Sequence, residues 1–417
     1  MSASSAPAPF SILDTDLYKF TMQQAVREHF PDVQAVYRFT NRDKRFQFSR
    51  QAIELFRTAV SQFTDIALTK EEHDWLRTAC PYFTPSYLSY LSAYRFKPEQ
   101  VHVTFIPVSA DGLMGNVEVE ARGPWVETIM WEVPLMSALS EIYFHSVNTD
   151  WTYDGQEEAA YDKCRRLIEG GCAFSDFGSR RRRSYIAHDL VIKGLVRASR
   201  EVHGPGRLTG TSNAHFAHKY NLNPIGTIAH EWFMGVAALR GYEKTHLLAL
   251  DLWEQVYHDQ VLIALTDTFT TEAFFKDFVL DANRARKWTG LRHDSGDPFE
   301  FAPRVKEVYE SLGIDPRQKL IVYSDSLNVD KCLRLQNQAN ELGLEKVAYG
   351  IGTHLTNDFR TASSGGKEKS KALNMVIKLT SVNNRPCIKI SDDETKNIGD
   401  LATIEYVKRL YGLPVTK

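Results

Sequence analysis

Two textures divide the chain. Up to about residue 145, polar and apolar positions either alternate or recur at helical spacing. Val101-His-Val-Thr-Phe105 and Val117-Glu-Val-Glu-Ala121 alternate strictly, which predicts half-buried strands. Trp125 to His145 carries a helical pattern and predicts one helix kinked at Pro134. Thr69-Lys-Glu-Glu72 reads as a capping box, with Thr69 accepting from an orphan N–H and Glu72 reaching back to the cap. From about residue 170, short apolar runs end in Gly, Ser, Thr or Asp, with helical stretches between them. The ends fall at Phe177-Gly178, Gly210-Thr-Ser212, Gly226-Thr227, Thr266-Asp-Thr268, Arg292 to Asp297, Ser324-Asp-Ser326 and Gly350 to Thr353. Apart from one tight step, the spacing is the roughly 30 residues of a βα unit. Repeated βα units predict a parallel sheet, doubly wound or closed into a barrel. In such barrels the chemistry sits just past the C-terminal ends of the strands, where every one of these polar clusters lies.

The remaining segments are simpler. Residues 1–10 are rich in small residues and predict a disordered tail. Ser363 to Lys371 predicts a mobile Gly/Ser/Lys loop. Val376-Ile-Lys-Leu379 and Cys387-Ile-Lys-Ile390 predict a hairpin, and Thr403 to Tyr411 a last helix. The 417 residues suffice for two domains, and 43% hydrophobic with 24% charged residues is ordinary for a globular protein. A net charge of -2 argues against a dominant nucleic-acid or anionic-membrane surface. No apolar stretch reaches the roughly 20 residues that span a bilayer, and no secretory signal is visible. Five scattered cysteines without a Cys-x-x-Cys pair predict a reducing, cytoplasmic setting with neither disulfide framework nor zinc site.

Several clusters carry candidate chemistry. His230 follows the Gly226-Thr227 strand end, where small residues let a phosphate approach; a neutral imidazole there is a nucleophile near pH 7. In Arg292-His-Asp-Ser-Gly-Asp-Pro298, Arg292 offers a planar fork for a carboxylate, and Asp294 and Asp297 offer oxygens of the kind Mg²⁺ takes. The same residues could be only a turn capping a helix from Pro298. Tyr323-Ser-Asp-Ser326 and Gly350-Ile-Gly-Thr353 match phosphate-binding strand ends or plain helix caps. Phe174 to Arg183 joins an aromatic to four arginines, a site motif, a solvated face or a nuclear address. Leu13 to Lys19 fits an N-cap carboxylate and a core tyrosine.

Together, Leu13-Asp-Thr-Asp-Leu-Tyr-Lys19, Phe174-Ser-Asp-Phe-Gly-Ser-Arg-Arg-Arg182, Gly210-Thr-Ser-Asn213, Gly226-Thr-Ile-Ala-His-Glu-Trp232, Asp294-Ser-Gly-Asp-Pro298, Tyr323-Ser-Asp-Ser-Leu-Asn328 and Gly350-Ile-Gly-Thr353 closely resemble nicotinate phosphoribosyltransferase of the branch found in fungi and many bacteria. The match runs from Leu13 to about Asp400. The resemblance implies an irregular α/β barrel over residues 146–369 and an α+β domain built from residues 11–145 with about 370–417. It implies a ligase-type enzyme of NAD biosynthesis that joins nicotinate to 5-phosphoribosyl 1-pyrophosphate, giving nicotinate mononucleotide and pyrophosphate. ATP hydrolysis is expected to couple to this transfer through phosphorylation of His230. The cofactors implied are ATP and Mg²⁺. A head-to-tail homodimer is implied too, its sites shared because a tyrosine matching Tyr18 arrives from the neighbouring subunit.

The resemblance also distributes roles. Phe177 and Tyr18 would sandwich the pyridine ring. Arg180 and Arg292 would hold its carboxylate, and Thr227 would add a hydrogen bond. Amide-using relatives carry an aspartate where this chain has Ser212, so Ser212 favours the acid. Asp267 and Asp294 would hold Mg²⁺, or Asp267 would orient the tautomer of His230. Ser324, Asp325, Gly352 and Thr353 would take the phosphoribosyl group. Asp176 and Ser179 depart from the Glu and Thr that the family often carries there, both conservatively. Alternatives are a nicotinamide or quinolinate phosphoribosyltransferase, a barrel aldolase or isomerase acting on a sugar phosphate, and a non-catalytic sensor of NAD precursors with Arg180 to Arg183 as a nuclear signal.

Overall fold

The computed structural model describes residues 10–393 and 396–414. The expected N-terminal tail therefore lies outside the described residues except for Phe10, whose ring packs edge-on against Tyr185 and His215.

Two sheets organise the chain. The first is antiparallel: β1 (Gln34–Asn41), β2 (Phe48–Ser49), β3 (Val101–Pro107), β4 (Met114–Pro124), β13 (Met375–Val382) and β14 (Arg385–Pro386). Its order is β14-β13-β1-β4-β2, with β3 also on β4. The alternation in β3 and β4 thus matches two paired strands, Val103 opposite Val119. C-terminal β13 pairs with N-terminal β1 along its length, Phe39 opposite Ile377, so the two ends of the chain share one sheet. The second sheet is parallel: β5 (Ala173–Asp176), β6 (Arg207–Thr211), β7 (Ile263–Leu265), β8 (Gly290–His293), β9 (Leu320–Tyr323) and β10 (Val347–Ile351), in the order β6-β5-β10-β9-β8-β7. Helices such as Tyr185–Glu201, Pro298–Ser311 and Val329–Glu341 cover its outer face with stripes of buried Val, Leu and Ala.

Six of the seven expected strands are present. The seventh, ending at Gly226-Thr227, is not a strand. Pro224 makes a lone bridge to Thr211, since proline lacks the N–H that a ladder requires. The segment still spans the gap between β6 and β7. Ile225 N donates to Thr211 O at 2.9 Å, and Thr227 Oγ1 donates to Ile263 O at 3.4 Å. The barrel closes irregularly through this piece of coil.

Three other expectations change. Trp125 to His145 is a helix at Trp125–Thr128, a 3-10 turn at Ile129–Trp131 and a helix at Glu132–Ser146. Pro134 lies in the first turn of the last piece, where a missing N–H costs nothing, so the break precedes it. Ser363 to Lys371 is no bare loop: β11 (Phe359–Arg360) pairs with β12 (Lys369–Ser370), and Ser363 bonds Asp150. The C-terminal hairpin turns at Asn383-Asn384, both with positive φ, into β14. Cys387 to Ile390 then leaves it, and Ile390 bridges Phe269 beside β7. The capping box at Thr69 and the last helix, Leu401–Tyr411, are as expected.

Candidate active site

A cavity of about 90 Å³ opens at the C-terminal ends of the barrel strands, against β13 of the antiparallel sheet. His230, Arg180, Arg292, Asp294 and Tyr18 line it, with Lys378 and Lys389 opposite. His230 is the first residue of the helix His230–Arg240. Its Nδ1 lies 3.0 Å from Thr268 Oγ1, while Nε2 lies 3.0 Å from Lys389 Nζ and 3.1 Å from Asp294 Oδ2. Lys389 can only donate to Nε2 and Asp294 can only accept from it, while the Thr268 hydroxyl can do either, so these contacts fit both neutral tautomers. Burial and the charge of Lys389 push the imidazole below its ordinary value of 6.5, against the pull of Asp267 and Asp294. The balance favours a neutral ring at the edge of the cavity. Asp267 Oδ1 stays 3.8 Å from Nε2, so Thr268, Lys389 and Asp294 are the groups that hold the ring.

The two carboxylates differ. Asp294 accepts from Ser324 Oγ at 2.5 Å and from Arg292 Nη2 at 3.2 Å. Burial would raise its pKa, but Arg292 and His230 hold the carboxyl well below the usual range. Asp267 is fully buried; its Oδ2 accepts from Ser295 Oγ at 2.5 Å and Lys389 Nζ at 2.9 Å. Its Oδ1 is buried without a partner. Among the described residues no cluster of three or more His, Cys, Asp or Glu could enclose a metal ion. The orphaned Oδ1 and the carboxylate of Asp294 do fit Mg²⁺, which takes one or two carboxylates and fills the rest of its shell from phosphates and water.

The aromatic and cationic walls follow from the strand ends. Phe177 follows β5, and its ring lies against Gly350, where any Cβ would stand 2.4 Å from the ring carbons. Arg292 Cζ sits 5.9 Å from the centre of that ring, and its Nε donates to Ser324 Oγ at 2.7 Å. The four-arginine run separates by role. Arg180 reaches the cavity and donates to Glu132 at 3.2 Å. Arg181 bonds the carbonyl of Met375, and burial with Arg180 and Arg42 pushes it down to about 10. Arg182 is buried in a bidentate pair with Asp14, 2.7 Å at each contact. Arg183 is fully buried between Phe144 and Phe359. With two of its four members buried, the run is neither a solvated face nor an exposed basic address.

Tyr18 lines the cavity within its own chain: Asp16 bridges Asn213 and Leu17 N donates to Ser212 O at 2.7 Å, pinning the start of helix Leu17–His29 on the barrel. Its hydroxyl donates to Glu132 at 3.3 Å. Ser212 does not line the cavity: its buried hydroxyl donates to Asp16 at 2.7 Å, as that of Ser179 does at 2.6 Å. Thr227 lines the barrel interior below the site. Ser324 is committed to Asp294 and Arg292, while Asp325 pairs with Lys396 at 3.0 Å. Gly352 and Thr353 begin a single helical turn, Thr353–Thr356, beside the carbonyl of Phe177.

Sequence reasoning missed Lys389, Lys378, Thr268 and the buried Lys19, Glu132 and Glu231. The one available signal was a lysine inside each of two apolar runs, Val376–Leu379 and Cys387–Ile390. A lysine flanked by buried residues must have a reason to be there.

This barrel, with a histidine, two aspartates and a cationic rim at its strand ends, is of the type that handles phosphorylated sugars. The description "Nicotinate phosphoribosyltransferase (NAPRTase) family" matches residues 172–415, and that of its N-terminal domain matches residues 13–140. A Schizosaccharomyces pombe protein named probable nicotinate phosphoribosyltransferase is 43% identical, over 99% of this chain and 100% of its own. The Methanosarcina mazei nicotinate phosphoribosyltransferase is 42% identical, over 96% and 98%. The crystal structure of a Saccharomyces cerevisiae candidate for the same enzyme superposes with a TM-score of 0.94 at 38% identity, over 99% and 100%. The chain belongs to the nicotinate phosphoribosyltransferase family and is an enzyme of it.

Proposed function

We propose that this chain transfers the phosphoribosyl group of 5-phosphoribosyl 1-pyrophosphate to nicotinate, releasing pyrophosphate, and that ATP drives the transfer through a phosphate carried on His230 Nε2. The observation that carries this reading is the state of His230. Burial and Lys389 favour the neutral ring, and its Nε2 sits at the cavity among Lys389, Asp294 and Asp267. Nε2 would attack the γ-phosphorus of ATP, with ADP leaving. The added charge of about -1.5 to -2 would meet the cations already in place. Water would later cleave the P–N bond and restore the imidazole.

For the transfer itself, the pyridine nitrogen displaces pyrophosphate at the anomeric carbon, so the protein's task is positioning and charge neutralisation. Phe177 and Tyr18 offer aromatic faces for the ring, and Arg292 and Arg180 offer guanidinium groups for its carboxylate. Lys378, which makes no ion pair among the described residues and is pushed down to about 7 by burial and nearby cations, faces the cavity with Lys389 as a counter-charge for pyrophosphate. Asp267 and Asp294 would hold Mg²⁺, which supplies charge neutralisation at the phosphate oxygens. Asp325, Gly352 and Thr353 remain the residues for the ribose and its 5′-phosphate.

Incubation with γ-labelled ATP, digestion and mapping of acid-labile phosphate tests this. Label on the His230 peptide, lost in His230→Ala, is the expected result. ATP-stimulated formation of nicotinate mononucleotide without label at His230 would overturn the coupling.

A further inference from the structure

The interior of this barrel is open. Barrels of this kind are normally filled by layers of bulky branched side chains. Here the inward positions of β5, β6 and β10 are Ala173, Ser175, Thr209, Ala348 and Gly350. They leave a cavity of about 1120 Å³ that runs from Phe177, Thr227 and Arg292 down to the opposite end of the strands. Arg292 borders both this cavity and the cavity at His230. Ala173, Thr209, Ile225 and Ala348, which a filled barrel would bury completely, remain partly accessible.

The far mouth is cationic. Arg207, Arg286, Lys319 and Lys346 line it, and none of the four makes an ion pair among the described residues. Lys319 is buried and spends its donors on the carbonyls of Arg286 and Trp288, 2.6 Å each. Of the acids at this mouth, Asp315 is taken by Arg317 at 2.8 Å, which leaves Glu345. A small anion meets a favourable field here, as charged clefts with low-dielectric walls provide.

The front cavity is smaller, about 90 Å³. A bound sugar diphosphate would occupy it further. We propose that the barrel interior is a second passage, selective for small aromatic carboxylates, through which nicotinate reaches Phe177 and Arg292 from the far mouth while the sugar phosphate holds the front. This rests on the reading of the activity given above. Turnover of nicotinate by the unmodified enzyme tests that reading separately.

Two variants test the passage, each measured as kcat and kcat/KM for nicotinate at saturating 5-phosphoribosyl 1-pyrophosphate, with the sugar's own KM as a control. Ala173→Leu with Ala348→Leu fills two neighbouring inward positions, since these residues are paired across β5 and β10. The expected result is a fall of about tenfold in nicotinate kcat/KM, with kcat and the sugar's KM little changed. Lys346→Glu, at an exposed position, should lower nicotinate kcat/KM about threefold at low salt and not at high salt. Unchanged nicotinate kcat/KM in both variants overturns the passage. So does a filled interior that lowers kcat and raises the sugar's KM together, because it would mean that the interior only shapes the site. If the double variant does not fold, Lys346→Glu decides alone: a salt-sensitive loss supports the passage and no loss overturns it.

Discussion

Two buried charge clusters face each other across the front cavity, and they do different things with the same kinds of residue. On one side Lys389 serves Asp267 and His230. On the other, Lys19 is fully buried between Glu132 and Glu231 (2.8 Å to the latter), and Glu132 also holds Arg180. In the Lys19 cluster the central cation is saturated by carboxylates. Glu132 keeps its charge because Lys19 and Arg180 outweigh burial, whereas burial pushes Glu231 up to about 7 despite Lys19. In the His230 cluster burial and the lysine favour a neutral imidazole. Each cluster leaves one buried carboxylate oxygen without a partner, Oδ1 of Asp267 and Oε1 of Glu231. Neither burial of charge nor an orphaned acceptor therefore marks the reactive side; the nucleophilic imidazole beside the cavity does.

Removing Lys19 should be the most damaging change. Lys19→Met strands two carboxylates and should cost about 3–5 kcal/mol of stability, read as a large drop in denaturation midpoint. A loss below about 1 kcal/mol would show that the cluster is not structural. His230→Ala should leave the midpoint nearly unchanged and remove ATP stimulation, a loss of about 100-fold at limiting sugar phosphate. Full stimulation in that variant would reverse the assignment of the two clusters.

A subtler distinction comes from pH. The neutral His230 is favoured by burial and by Lys389, so its folded pKa lies below 6.5. The unfolded chain then binds the proton more readily, and both stability and ATP coupling should fade as pH drops through the folded value. In Lys389→Met the acid limb of ATP-coupled activity should move to higher pH; a limb that stays in place would mean that Lys389 does not set the imidazole. The smallest effect is expected for Glu231→Gln. A carboxyl raised from 4.5 to about 7 binds its proton more tightly when folded, so the wild type should lose stability as pH rises through that window. Glu231→Gln should escape that loss, with a change under about 1 kcal/mol near neutral pH. Parallel stability curves for the two proteins across the window would refute the raised carboxyl.

Much of the barrel could be read from pattern, because short apolar runs ending in small or acidic residues leave few alternatives to parallel strands. The failures have physical causes. Pro224 removes the donor that would have made Ile225 to Thr227 a strand. Pro134 looks like a kink only if the helix is assumed to begin at Trp125. Arg180 to Arg183 look equivalent in one dimension, yet the turn after β5 sends one to the cavity, one to β13 and two into the core. The bridge from Asp16 to Asn213, which brings Tyr18 to its own chain's cavity, has no local signal.

The amino-acid sequence alone determined the repeated βα units, the strand-end positions of His230, Arg292, Asp294 and Phe177, and the family. These depend on local periodicity and on residue order. The tertiary structure alone decided which cations surround His230, that burial favours its neutral form and that the barrel is hollow. Each of those depends on side chains from distant segments meeting at a few ångströms, with burial setting the strength of every charge among them.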